Sequence, residues 1–134
     1  RAIARLDSAS ARAKFGWKSE DFIVIHTGNI GAKQDLGNVV LAAEKLKDSY
    51  SIKIYLVGHG NQEGKLISMC QDKKNIFVLP AITEEDYSAL LSAADLLLIN
   101  ERITQINMKC RHVFLSNNHI HRLSSMIHNT WLCQ

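Results

Sequence analysis

Between residues 22 and 99 four short apolar runs alternate with segments of helical periodicity, and this alternation restricts the fold more than any other feature. Residues 22–26 form a continuous run, the mark of a strand covered on both faces. Residues 52–57, 75–79 and 95–99 are three further strand-like runs, apolar except at Lys53, Asn75 and Asp95. Between the runs, Leu36, Val39, Val40, Ala43 and Leu46 recur at helical spacing. Leu66, Ile67 and Cys70 share one face of a short helix, and Tyr87, Leu90, Leu91 and Ala94 share one face of another. Thr83, with Asp86 three residues later, opens that last helix as a capping-box-like pair. Upstream, an alanine-rich stretch over residues 1–15 ends at Gly16, as helices closed by a glycine do. Strands joined through helices require a parallel sheet with right-handed crossovers. The predicted fold is α/β, a Rossmann-like parallel sheet with flanking helices.

In such a sheet a ligand sits beyond the carboxyl ends of the strands. Four loops fall on that edge: one opening at Gly28, one at Gly58-His59-Gly60, one at Pro80-Ala81-Ile82 and one at Asn100-Glu101. The first carries the most chemistry, in Thr27-Gly28-Asn29-Ile30-Gly31-Ala32-Lys33-Gln34. Glycines let backbone approach a ligand closely, and a helix following the loop would turn its free N–H groups toward an anion. Lys33 adds an ammonium at the same place. Strand, glycine loop, lysine and helix make a diphosphate cradle. The loop lacks the spacing and the Lys-Ser/Thr pair of a Walker A loop, and it is not a G-x-G-x-x-G fingerprint.

Composition narrows the class. With 134 residues and 46% hydrophobic content, one globular domain with a real core is affordable in length alone. A net charge of +3, with both signs mixed, lacks the basic face of a nucleic-acid-binding protein. No apolar stretch nears the roughly 20 residues that span a bilayer, and no signal peptide is visible. Cys70, Cys110 and Cys133 form no close pair, which fits a reducing cytosol. The chain begins at Arg1, so residues are expected upstream.

The combination Gly28-Asn29-Ile30-Gly31-Ala32-Lys33-Gln34, Leu56-Val57-Gly58-His59-Gly60, Glu85-Asp86-Tyr87 and the run from Ala94 to Arg102 resembles the family-4 retaining glycosyltransferases. The likeness covers about residues 10–108 and is strongest to the bacterial branch that assembles capsule, colanic acid and O-antigen. It implies an incomplete GT-B C-terminal domain that binds a nucleotide-diphosphate sugar, with the acceptor bound by a separate N-terminal domain. Sugar would pass with retention to a glycan or lipid-linked acceptor, in the cytoplasm or at the inner face of the membrane. On this resemblance Gly31 and Lys33 hold the diphosphate, Ala81 and Ile82 back the nucleobase, and Glu101 contacts the sugar; Gly28, Asn29 and Gly58 join them as binding candidates from the glycine turns at the same edge. The nucleotide sugar is substrate, so no cofactor is expected. There is no Asp-x-Asp pair to call for a metal. His59, where the family has Asp, reads as an exposed loop histidine, His26 faces either core or ligand, and Cys70 reads as core.

The pattern stops near Met108. From Arg102 to Gln134 there is no Asp, Glu, Gly or Pro, while four of the six histidines and two of the three cysteines lie there. Residues 1–108 are read as a partial nucleotide-sugar-binding domain, and 109–134 as an atypical tail, out of the evolved frame or without fixed structure. Cys110, His112, His119, His121, His128 and Cys133 match no tetrahedral zinc spacing. The alternative is a non-catalytic α/β fragment or relic, its sheet ending at four strands. A phosphoacceptor receiver would need an aspartate closing a central strand, and none of the four runs ends in one.

Overall fold

A computed structural model describes residues 7–49 and 51–100 and the backbone of the strand at 112–116. The elements run α1 (Ser8–Phe15), β1 (Phe22–Thr27), a 3-10 turn (Ala32–Gln34), α2 (Gly37–Lys45), β2 (Ile52–Val57), α3 (Glu63–Cys70), β3 (Ile76–Leu79), α4 (Glu84–Ala93), β4 (Leu96–Asn100) and β5 (His112–Ser116). They build one sheet in the order β3-β2-β1-β4-β5. The first four strands are parallel, with β1 in register against β2 from Phe22↔Ile52 to Thr27↔Val57.

Side chains on β1 alternate between two cores, as the pleat requires. Val24 packs with Val39, Val40, Ala43, Leu66 and Ile76 under α2 and α3. Ile23 and Ile25 pack with Tyr55, Val57, Leu90, Ala94 and Leu97 under α4. Phe15, Trp17, Tyr55 and Phe77 stack in series, with centroid spacings of 4.7, 4.1 and 5.2 Å, and join the end of α1 to β2 and β3.

Local chemistry sets the helix ends. Asp7 caps α1 by accepting from the Ser10 N–H at 2.8 Å, and Gly16 closes it in the left-handed region at φ 71°. Thr83 caps α4 by accepting from the Asp86 N–H at 3.2 Å. At the amino edge of the sheet Arg12 is buried, and a buried guanidinium must be paired and hydrogen-bonded. It donates to the carbonyls of Ala93, Ser19 and Asp21, and pairs with Asp95 at 2.5 Å. Asp95 also accepts from the Ile23 N–H at 2.8 Å, which ties α1, β1 and the entry to β4 at one point.

Two expectations change here. The sheet does not end at four strands, because β5 pairs antiparallel with β4 from Leu96↔Ser116 to Asn100↔His112. A five-residue strand leaves too short a signal to separate from irregular chain. Ile67 does not share the buried face of α3: it is half exposed, and Leu66 and Cys70 carry that face.

Candidate functional site

The loops leaving β1, β2 and β3 are laced together by their backbones. The Gly28 N–H donates to the Val57 carbonyl at 3.0 Å, the Ile30 N–H to that of His59 at 2.7 Å, and the Gln62 N–H to that of Ile30 at 3.0 Å. The Gly58 N–H donates to the Leu79 carbonyl at 3.1 Å. This lacing explains two glycines. Gly58 sits at φ 153°, and a Cβ there would be driven into the carbonyl of Gly28. A Cβ at Gly60 would meet the carbonyl of Ile30 in the same way.

A cleft of about 260 Å³ opens between these loops, lined by Thr27, Gly28, Asn29, Val57, Gly58, His59, Ala81, Ile82 and Tyr87. Five of the expected site residues therefore meet: Gly28, Asn29, Gly58, Ala81 and Ile82. Gly31 lies apart, on a smaller cavity of about 50 Å³ with Asp35, Gly37, Gln62, Lys65 and Met69 among its walls. Lys33 is exposed on the 3-10 turn and lines neither space. Glu101 and the tail residues Cys110, His119, His121, His128 and Cys133 lie outside the described residues, as does the side chain of His112.

The expected junction of loop and helix is also revised. The 3-10 turn follows Gly31, Asp35 adopts φ 49°, and α2 begins only at Gly37. The free N–H groups of α2 are thus displaced from Gly31 by a turn of chain. The Gly31 N–H donates instead to the side-chain oxygen of Gln34 at 3.2 Å, and the Asn29 amide donates to that same oxygen at 3.3 Å. An anion using these donors must first displace the Gln34 amide.

Four residues gain roles that the sequence reading did not assign. Asn100, 2% exposed, donates from Nδ2 to the carbonyls of Gln34 at 2.7 Å and Asp35 at 3.1 Å, so the end of β4 holds the turn that carries Lys33. A polar residue closing an apolar strand was the available signal. His26, 5% exposed, has no hydrogen-bond partner on either ring nitrogen among the described residues. Burial lowers its pKa, against a weaker upward pull from the backbone of Asn29 and Leu98, whose nearby groups miss hydrogen-bonding geometry. His59, expected as a plain loop residue, stands on the cleft wall with Nδ1 3.6 Å from Glu63. Tyr87, expected on the buried face of α4, also lines the cleft, 37% exposed, and partial burial raises its phenol pKa.

Residues 7–103 match the family described as glycosyl transferases group 1. Over 102 residues the chain is 30% identical to WcaI of Escherichia coli K12, named for colanic acid biosynthesis; the match takes in 75% of this chain and 25% of WcaI. Among solved structures, WaaG, a glycosyltransferase involved in lipopolysaccharide biosynthesis, superposes with a TM-score of 0.60 at 21% identity. That match covers 70% of this chain and 26% of WaaG. Staphylococcus aureus TarM, solved with Fondaparinux, alpha-GlcNAc-glycerol and UDP, gives a TM-score of 0.55 at 20% identity, over 62% of this chain and 17% of TarM. At these identities the two structures speak to the fold. This chain spans about a quarter of the length of WcaI.

Proposed function

Because this chain belongs to the glycosyl transferases group 1 family, we propose that it is the donor-binding part of a retaining GT-B transferase of polysaccharide assembly. The observation that carries this is the cleft at the carboxyl edge, where Gly28, Asn29, Gly58, Ala81 and Ile82 converge from three loops. The nucleotide end of a nucleotide-diphosphate sugar occupies it. The base lies toward Ala81 and Ile82, and the diphosphate runs along the first loop toward Gly31 and Lys33. Glu101, next in the chain after the end of β4, contacts the sugar. The leaving group is a diphosphate, so catalysis depends on stabilising charge that develops on its oxygens. An ammonium and preorganised N–H donors suit that task, and the reading requires no resident metal. Turnover, and the glycan or lipid-linked acceptor, belong to a whole transferase.

Among the described residues no helix is long and apolar enough to cross a membrane. A non-catalytic nucleotide-binding module is the second reading. It is favoured by the Gln34 amide, which already occupies the Gly31 and Asn29 donors.

Calorimetric titration of the full chain with UDP, GDP and ADP tests the proposal. At least one should bind saturably. Lys33→Ala should weaken that binding about tenfold, the scale of one hydrogen bond to a charged group. If none of the three binds, the donor-binding reading is wrong.

A further inference from the structure

Tyr87 continues the apolar stripe of α4, yet it departs from that stripe in burial. Leu90 and Ala94 are fully buried, whereas Tyr87 remains 37% exposed where the stripe passes beyond the core and over the cleft. Its backbone is held, since its N–H donates to the Thr83 carbonyl at 2.9 Å. Ring placement therefore depends on side-chain torsions alone. The cleft lining is chemically mixed: Tyr87 and Ile82 offer apolar surface from α4 and the loop before it, while Thr27 and Asn29 bring polar side chains from the end of β1 and the loop after it.

Charge orients a ligand within it. Glu84 and Glu85 lie in the first turn of α4 and are exposed, which disfavours a phosphate at the Tyr87 end. Asp86 is spoken for by Lys14 at 2.6 Å. A neutral planar group is left as the occupant beside Tyr87, with the anionic group at the first loop. A space of about 260 Å³ falls below the roughly 300–1,000 Å³ of whole-ligand pockets, so it suits one part of a ligand.

We propose that Tyr87 is the aromatic contact for the heterocyclic base of the bound nucleotide and the main side-chain source of affinity for that base. The proposal rests on the donor-binding reading above. Aromatic rings favour offset or edge-to-face contact with a planar ring, and the phenyl body alone supplies this.

The full chain is titrated with the tightest of UDP, GDP and ADP, and separately with inorganic pyrophosphate, which has no ring. Tyr87→Ala should weaken the nucleotide about tenfold, within the range for loss of one base–aromatic contact, and leave pyrophosphate unchanged. Tyr87→Phe should bind the nucleotide as the parent chain does. Tyr87→Leu, which keeps apolar bulk for the fold, should behave like Tyr87→Ala. In NMR spectra the Tyr87 ring protons should shift on adding nucleotide and stay in place with pyrophosphate. Equal loss of both ligands in Tyr87→Ala, no loss of either, or a Tyr87→Phe as weak as Tyr87→Ala would overturn the inference while leaving donor binding intact. A parent chain that binds neither ligand would remove both readings together.

Discussion

At the scale of single residues, the buried His26 gives the clearest consequence. The folded chain holds its imidazole neutral at pH values where a free one, with its ordinary value of 6.5, is taking up a proton. Unfolding therefore takes up a proton as pH falls, and stability that is fully present above pH 6.5 is lost progressively below it, levelling off beneath the lowered folded value. Replacing the ring by an apolar side chain removes two buried nitrogens that have no hydrogen-bond partner among the described residues. His26→Leu should accordingly be neutral or stabilising by about 1 kcal/mol at pH 5.5, and should flatten the decline between pH 7.5 and 5.5. Urea midpoints at both pH values decide it, and an unchanged pH slope would mean that another group titrates. Site residues were legible where a backbone needs a particular residue, as at Gly28 and Gly58. Tyr87 was not, because helical spacing tells which residues share a face but not where that face outruns the core.

At the scale of elements, the four parallel strands were read from sequence to within a residue at each end, since burial on both faces writes a largely apolar run. Spacing placed α2 correctly but hid the 3-10 turn before it, whose three residues are too few to show a period. The lacing of the loops predicts a contrast between two glycines. Gly58→Ala should cost about 2 kcal/mol or more, because backbone must move to admit the methyl group. It should also weaken nucleotide binding by spreading the loops that form the cleft. Gly64→Ala, inside α3 with open space around a Cβ, should stabilise by about 0.5–1 kcal/mol. Thermal melts of the two variants check this, and equal effects would mean that the loops are not held by close approach at Gly58.

At the scale of the whole molecule, Arg12 links segments more than eighty residues apart through Ala93 and Asp95. Arg12→Ala leaves three carbonyls without the guanidinium and Asp95 with only the Ile23 N–H, and should cost about 3 kcal/mol, as loss of one side of a largely buried pair does. Denaturant unfolding measures it, and a change under about 0.5 kcal/mol, the scale of a surface substitution, would show that the bridge carries little. The order of residues dictates the alternation of strands and helices, and with it the parallel sheet and the edge on which a ligand must sit. Those follow from short-range periodicity and from the handedness of crossovers. Packing in three dimensions settles which loop residues meet, that Lys33 stands outside the cleft and Tyr87 on its wall, that Gln34 occupies the donors of the glycine loop, and that β5 pairs beside β4. Convergence depends on how helices seat on a twisted sheet and on backbone contacts between loops distant in sequence, which no local pattern of residues encodes.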